Sequence, residues 1–157
     1  MKTAIIGIGN PLRKDDGIGI YLTEKLKNSQ IKDKATLFIV ETALLNMMHK
    51  LTQFENLIFI DAGDFSEEIG KVKLIKNYIP PDIKLSTHSL NLKEIIHILK
   101  ILNPKIKNFF IILIQKKDTN FDPEPFNFSK EIKIKLNTIT QKVKKIIENI
   151  LTNPEKH

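Results

Sequence analysis

Residues 56–61 read NLIFID, an apolar run rich in β-formers that ends on a carboxylate. A short apolar run bounded by polar residues suits a strand buried on both faces. The same signature occurs upstream at 3–8 (TAIIGI) and 35–40 (ATLFIV), and downstream at 109–114 (FFIILI). Residues 71–75 (KVKLI) alternate instead and read as an edge strand. Between these runs the period becomes helical. Residues 16–27 can place Ile20, Leu22 and Leu26 on one face. Residues 90–102 bring Leu92, Ile95, Ile96, Leu99 and Leu102 near helical spacing, and Asn103-Pro104 stops that helix. Residues 129–151 form a long Lys-rich amphipathic helix.

A short helix over 43–51 is expected, with Leu44, Leu45, Met47 and Met48 inward as core filler. Residues 78–88, with Pro80 and Pro81, and residues 116–128, with Pro123 and Pro125, are loops. Apolar strands alternating with amphipathic helices predict an α/β fold. The expected sheet is mostly parallel and five-stranded, with helices on both faces. The domain should span residues 1–152, with 153–157 as a flexible tail. The opening MKTAIIGIGNPL is too quickly interrupted by Gly7, Gly9, Asn10 and Pro11 for a signal peptide, and reads as a strand and a turn. No apolar stretch reaches the roughly 18–20 residues of a membrane helix, so no membrane insertion is expected.

The chain lacks cysteine, which excludes disulfides, thiolate metal sites and cysteine nucleophiles, and fits a cytoplasmic protein. Its net charge of +7 is uneven: residues 1–70 carry 8 basic and 10 acidic side chains, residues 71–157 carry 17 and 8. That asymmetry raises nucleic-acid binding. A nucleic-acid site would favour Arg forks and exposed stacking rings. Here Arg13 is the only Arg and Trp is absent, so the excess reads as solvated Lys-rich helix faces and no nucleic-acid partner is expected.

In an open parallel sheet, ligands bind beyond the C-terminal ends of the strands. Three polar segments fall there. In GIGNPLRKDDGIG (7–19), Asp15 and Asp16 stand where a helix begins. One carboxylate suffices to cap one helix, so Asp15 is assigned the cap and Asp16 is left for another role. A dinucleotide fingerprint would need a third Gly where Leu12 stands, and paired acids there would repel a pyrophosphate. Asp61 closes the run 56–61, where a carboxylate is costly unless paired or metal-bound. His88 lies in STHSL (86–90), before the third helix. His49 and His97 lie within helices and His157 is terminal, which makes them weaker candidates. Two carboxylates and an imidazole suit a borderline or hard divalent ion, and three ligands leave positions for water or substrate. Neither a G-x-S-x-G elbow nor an H-E-x-x-H helix is present, so an activated water is the expected nucleophile.

The set Gly7-Ile8-Gly9-Asn10, Asp15-Asp16-Gly17-Ile18-Gly19, Asp61-Ala62 and Thr87-His88-Ser89-Leu90 resembles the hydrogenase maturation endopeptidases across most of the chain. The variety acting on energy-linked [NiFe] hydrogenases looks most similar, through STHSLNL (86–92) and Ile114-Gln115. The resemblance implies a twisted sheet and a protease that removes a C-terminal peptide from the hydrogenase large-subunit precursor after nickel insertion. It implies metal contacts at Asp16, Asp61 and His88, with Asp16 and Asp61 as the catalytic carboxylates and nickel supplied by the precursor. A monomer is expected. Two departures touch neighbouring loops: Val40-Glu41-Thr42-Ala43 lacks a Gly pair, and Lys116 stands where Pro often follows Gln115. A non-catalytic nickel-binding assembly chaperone is the alternative; it would use the same three residues without cutting.

Overall fold

The computed structural model describes residues 1–41, 44–85 and 92–156. Four parallel strands carry the fold: β1 (Thr3–Ile8), β2 (Thr36–Val40), β3 (Asn56–Asp64) and, last in the chain, β6 (Asn108–Gln115). Between β3 and β6 come β4 (Val72–Lys76) and the two-residue β5 (Lys84–Leu85). The sheet order is β2-β1-β3-β6-β4, with β5 paired to β3 off that path. β4 lies antiparallel on β6 at one edge, as its alternating pattern predicts. The five expected strands are therefore present, and β5 is a sixth, formed within the segment read as loop. Sequence patterning gave no sign of it, because a two-residue pairing has no period to detect.

β1 and β6 are buried along their whole length, and β3 up to its last residue. Backbone bonds are satisfied within the sheet, so side chains on both faces can be apolar. Helices cover both faces. On one, α1 (Ile18–Leu26) and α4 (Lys130–Thr152) bury Ile18, Leu22, Ile132, Val143 and Ile147 against Ile5, Ile58, Ile60 and Phe110. On the other, α2 (Met48–Leu51) and α3 (Leu92–Leu102) bury Leu51, Leu92, Ile95 and Leu99 against Ile6, Phe59 and Ile111. Each fully buried Ile or Leu contributes roughly 1.5–3 kcal/mol, so the two layers supply most of the stabilisation.

Two apolar side chains depart from their expected places. Leu45 is 57% exposed, because residues 44–47 form a 3-10 turn that turns Leu44 inward and Leu45 out. Met47 and Met48 pack against the core as expected. Leu102 is 59% exposed, because α3 ends there. Asn103 anchors that end: its Nδ2 donates to the carbonyl of Phe54 at 2.9 Å. Beyond α4, Lys76 Nζ donates to the carbonyls of Pro154 (3.0 Å) and Glu155 (3.3 Å).

Candidate active site

Strand β1 is the point at which the sheet changes direction. The chain goes from β1 outward to β2, then crosses back to β3 on the other flank of β1. A crevice is expected outside the carboxyl ends of such a pair. β1 ends at Ile8, and its pairing with β3 stops at Gly7 opposite Ile60. β3 runs on, held by β6 as far as Gly63 opposite Gln115. Asp61 is thus the first residue of β3 past its pairing with β1. It lies inside β3 rather than beyond it, because β5 and β6 extend the ladder to Asp64. By strand alternation it takes the same side as Leu57 and Phe59, the layer of α3.

The chain leaving β1 supplies Asp16. A 3-10 turn at Lys14–Gly17 leads into α1 and packs against β3. Two glycines make this approach possible. Gly9, at φ +149°, lies so close to the carbonyl of Asp16 that a Cβ would overlap it. A Cβ on Gly19 would collide with the carbonyl oxygens of Ile8 and Ile60, the last backbone units before Asp61 and the β1 exit. Asn10 N–H donates to Asp16 O at 3.3 Å and closes the turn. Asp16 is 2% exposed and Asp61 is fully buried. The residues Asp16 and Asp61 therefore both stand at the carboxyl end of the β1/β3 pair. His88 lies outside the described residues. Among the described residues, no group of three or more His, Asp or Glu side chains could hold a metal ion.

Asp15 does not cap its own helix. No side-chain bond caps either the 3-10 turn or α1. Instead the fully buried Asp15 carboxylate reaches the chain just beyond β6 and the start of α4. Oδ2 accepts from the backbone N–H of Lys117 (2.8 Å) and Asp118 (3.1 Å) and from the Ser129 hydroxyl (2.9 Å). Oδ1 accepts from the N–H of Ser129 at 2.7 Å. Ser129 is the N-cap residue of α4, so Asp15 fastens the 116–128 loop and that helix to the residue preceding Asp16. The expectation of amide contacts holds, but with a different element. A carboxylate is acceptor-only with two oxygens, which matches four converging donors better than one cap does. Lys14 adds an ion pair to Asp118 at 2.6 Å. That bond raises the Lys14 ammonium above its ordinary pKa and lowers the Asp118 carboxyl below its own.

Gln115, noted in the sequence only as a strand end, staples the chain leaving β3. Its Oε1 accepts from Phe65 N (2.9 Å) and Glu67 N (3.3 Å), and its Nε2 donates to Asp64 Oδ1 and to Lys116 O, both at 3.1 Å. A polar side chain closing an otherwise apolar strand was the available signal. The Gln115 bond, then the Ser66 N–H, hold the Asp64 carboxyl below its ordinary pKa. Gln115→Leu should cost about 2–3 kcal/mol at neutral pH, since two backbone N–H groups lose their acceptor. Because the folded-state pKa of Asp64 is depressed, its share of stability is present above the unfolded value and lost as pH falls through the folded one. The gap between the two proteins should therefore narrow below about pH 4, the ordinary carboxylate range. Urea unfolding at pH 7 and pH 3 measures this; a gap that widens at pH 3 would contradict it.

Comparison with known proteins agrees with this architecture. The model of a family described as hydrogenase maturation protease (HycI) matches residues 20–149. A Methanocaldococcus jannaschii protein named for the same activity is 30% identical over 159 residues, covering 95% of this chain and 90% of that protein. The crystal structure of a [NiFe] hydrogenase maturation protease HycI from Thermococcus kodakarensis KOD1 superposes with a TM-score of 0.72 at 25% identity, covering 97% of this chain and 93% of that one. The hydrogenase maturating endopeptidase HybD of E. coli shares the fold, with a TM-score of 0.71 at 16% identity over 95% of this chain and 93% of its own.

Proposed function

Because the chain belongs to the hydrogenase maturation protease family, we propose that it removes the C-terminal peptide of a [NiFe] hydrogenase large-subunit precursor after nickel has been inserted. The observation that carries this reading is the placement of two buried acidic residues, Asp16 and Asp61, at the carboxyl end of the β1/β3 pair. His88 completes the proposed set. Leu85, three residues before it, pairs with Gly63, two residues after Asp61.

Two oxygens and one nitrogen, with no thiolate, hold a borderline ion weakly by themselves. They suit nickel that arrives in the precursor, whose own ligands complete the coordination. Such a nickel ion, held by Asp16, Asp61 and His88, would either supply Lewis acidity toward the scissile carbonyl or its attacking water, or serve only as the handle by which the precursor docks. The chain's own contribution is basic and positional. A carboxylate of the Asp16/Asp61 pair takes a proton from the attacking water as the new C–O bond forms. The same proton then passes to the departing amine as the C–N bond breaks. Burial at the strand edge limits competing water.

The test is incubation with nickel-loaded and nickel-free precursor, followed by mass measurement of both products. One cut near the C-terminus, confined to the nickel-loaded form, is expected. Tight binding without any cut would favour an assembly chaperone, and efficient cutting of the nickel-free form would remove the nickel gate. Among the described residues no helix is long and apolar enough to cross a membrane.

A further inference from the structure

The β6–α4 loop presents a phenylalanine to solvent from a tightly fastened backbone. Phe121 is 70% exposed. Around it, Asp122 N donates to Leu12 O (2.8 Å), Phe126 N to Pro11 O (2.8 Å), Asp15 N to Asp118 O (3.0 Å) and Arg13 Nε to Thr119 O (3.0 Å). With the Asp15 carboxylate bonds, these zip the loop to the chain that carries Asp16. Leu12, whose carbonyl receives the bond from the residue after Phe121, is itself 36% exposed. Both side chains follow strand ends on the edge that holds Asp16 and Asp61.

Resting on the protease reading, we infer that Phe121, flanked by Leu12, is a substrate-docking knob that enters an apolar recess of the folded precursor. Three observations favour a protein surface over a small ligand. Phe121 is open to solvent over most of its surface. Its loop is already fixed, so docking orders little further chain and loses little entropy. In the chain it stands between the polar Asn120 and Asp122, with Glu124 close by, and a large exposed ring among polar neighbours has the composition of an interface anchor. The loop's other rings confirm that this exposure is selective. Phe126 and Phe128 turn inward to pack edge-on with Tyr21, at 5.7 and 5.4 Å between centroids.

The test uses the full chain and the nickel-loaded large-subunit precursor encoded in the same genome. Phe121→Ala should raise KM for the precursor at least about tenfold, a loss of about 1.4 kcal/mol of binding, with kcat and thermal unfolding unchanged. Phe121→Leu should recover most of that loss, because an apolar knob is retained. A Phe121→Ala variant with unaltered KM overturns the inference while leaving the protease reading in place. So does a drop in kcat alone. A failure of the unaltered protein to cut the precursor overturns the protease reading, and this inference with it.

Discussion

Asp61→Asn should stop precursor processing, with cleavage falling by about 10²–10⁴-fold or below detection, the range lost when a positioned acid or base is removed. Asn preserves the shape of the buried side chain, so the fold should persist and the loss should appear in the rate. Asp16→Asn should do the same. The informative variant is the double one. If both carboxylates address one nickel in one step, losing the second costs little once the first is gone, because residues acting as a unit are non-additive. Independent roles would instead multiply the two losses. His88→Ala belongs in the same series as the third proposed ligand. Single-turnover cleavage of nickel-loaded precursor, alongside thermal unfolding of each variant, checks the set. Full activity in any one of the three would remove that residue from the site.

The same geometry explains why some of this was legible in the sequence and some was not. Strands β1, β3 and β6 announce themselves because both faces are buried and the runs are nearly uninterrupted. Asp61 is visible because a carboxylate closing such a run is costly unless paired or metal-bound. Asp16 is singled out by counting one cap per helix, and that premise does not hold, since Asp15 caps neither the 3-10 turn nor α1. Asp15 was read as the local cap because local sequence offers only local partners. Its actual partners lie 102 to 114 residues away, at Lys117, Asp118 and Ser129. Gln115 shows the same limit: its role depends on how the chain leaves β3 50 residues earlier. Strand β5 escaped notice because its two residues pair only where β3 outruns β1. Leu45 and Leu102 were assigned inward by helical spacing, which does not register that a helix has just begun as a 3-10 turn or has just ended.

The long-range role of Asp15 carries the largest expected loss of stability. Asp15→Ala would leave three backbone N–H groups and one hydroxyl without the acceptor they share, a carboxylate that is itself fully buried among part-buried donors. Each unsatisfied buried group costs about 1–3 kcal/mol. Partial relaxation of the loop recovers some of this, which puts the net loss at about 3–5 kcal/mol. A mere helix cap would cost only about 0.5–2 kcal/mol. Asp15→Asn separates the two accounts. A capping Asn serves nearly as well as Asp. At this position every contact is a donor pointing inward, so one end of the amide must place its own N–H against another N–H. The less damaging orientation aims Nδ2 at the single Ser129 N–H and leaves the carbonyl for Lys117, Asp118 and the Ser129 hydroxyl. Asp15→Asn should therefore fall between the native protein and Asp15→Ala. Processing should weaken in both variants even at temperatures where they are fully folded, because the pinned turn also positions Asp16. Denaturant unfolding of the three proteins decides the matter: an Asp15→Asn protein as stable as the native one would return Asp15 to the role of a simple cap.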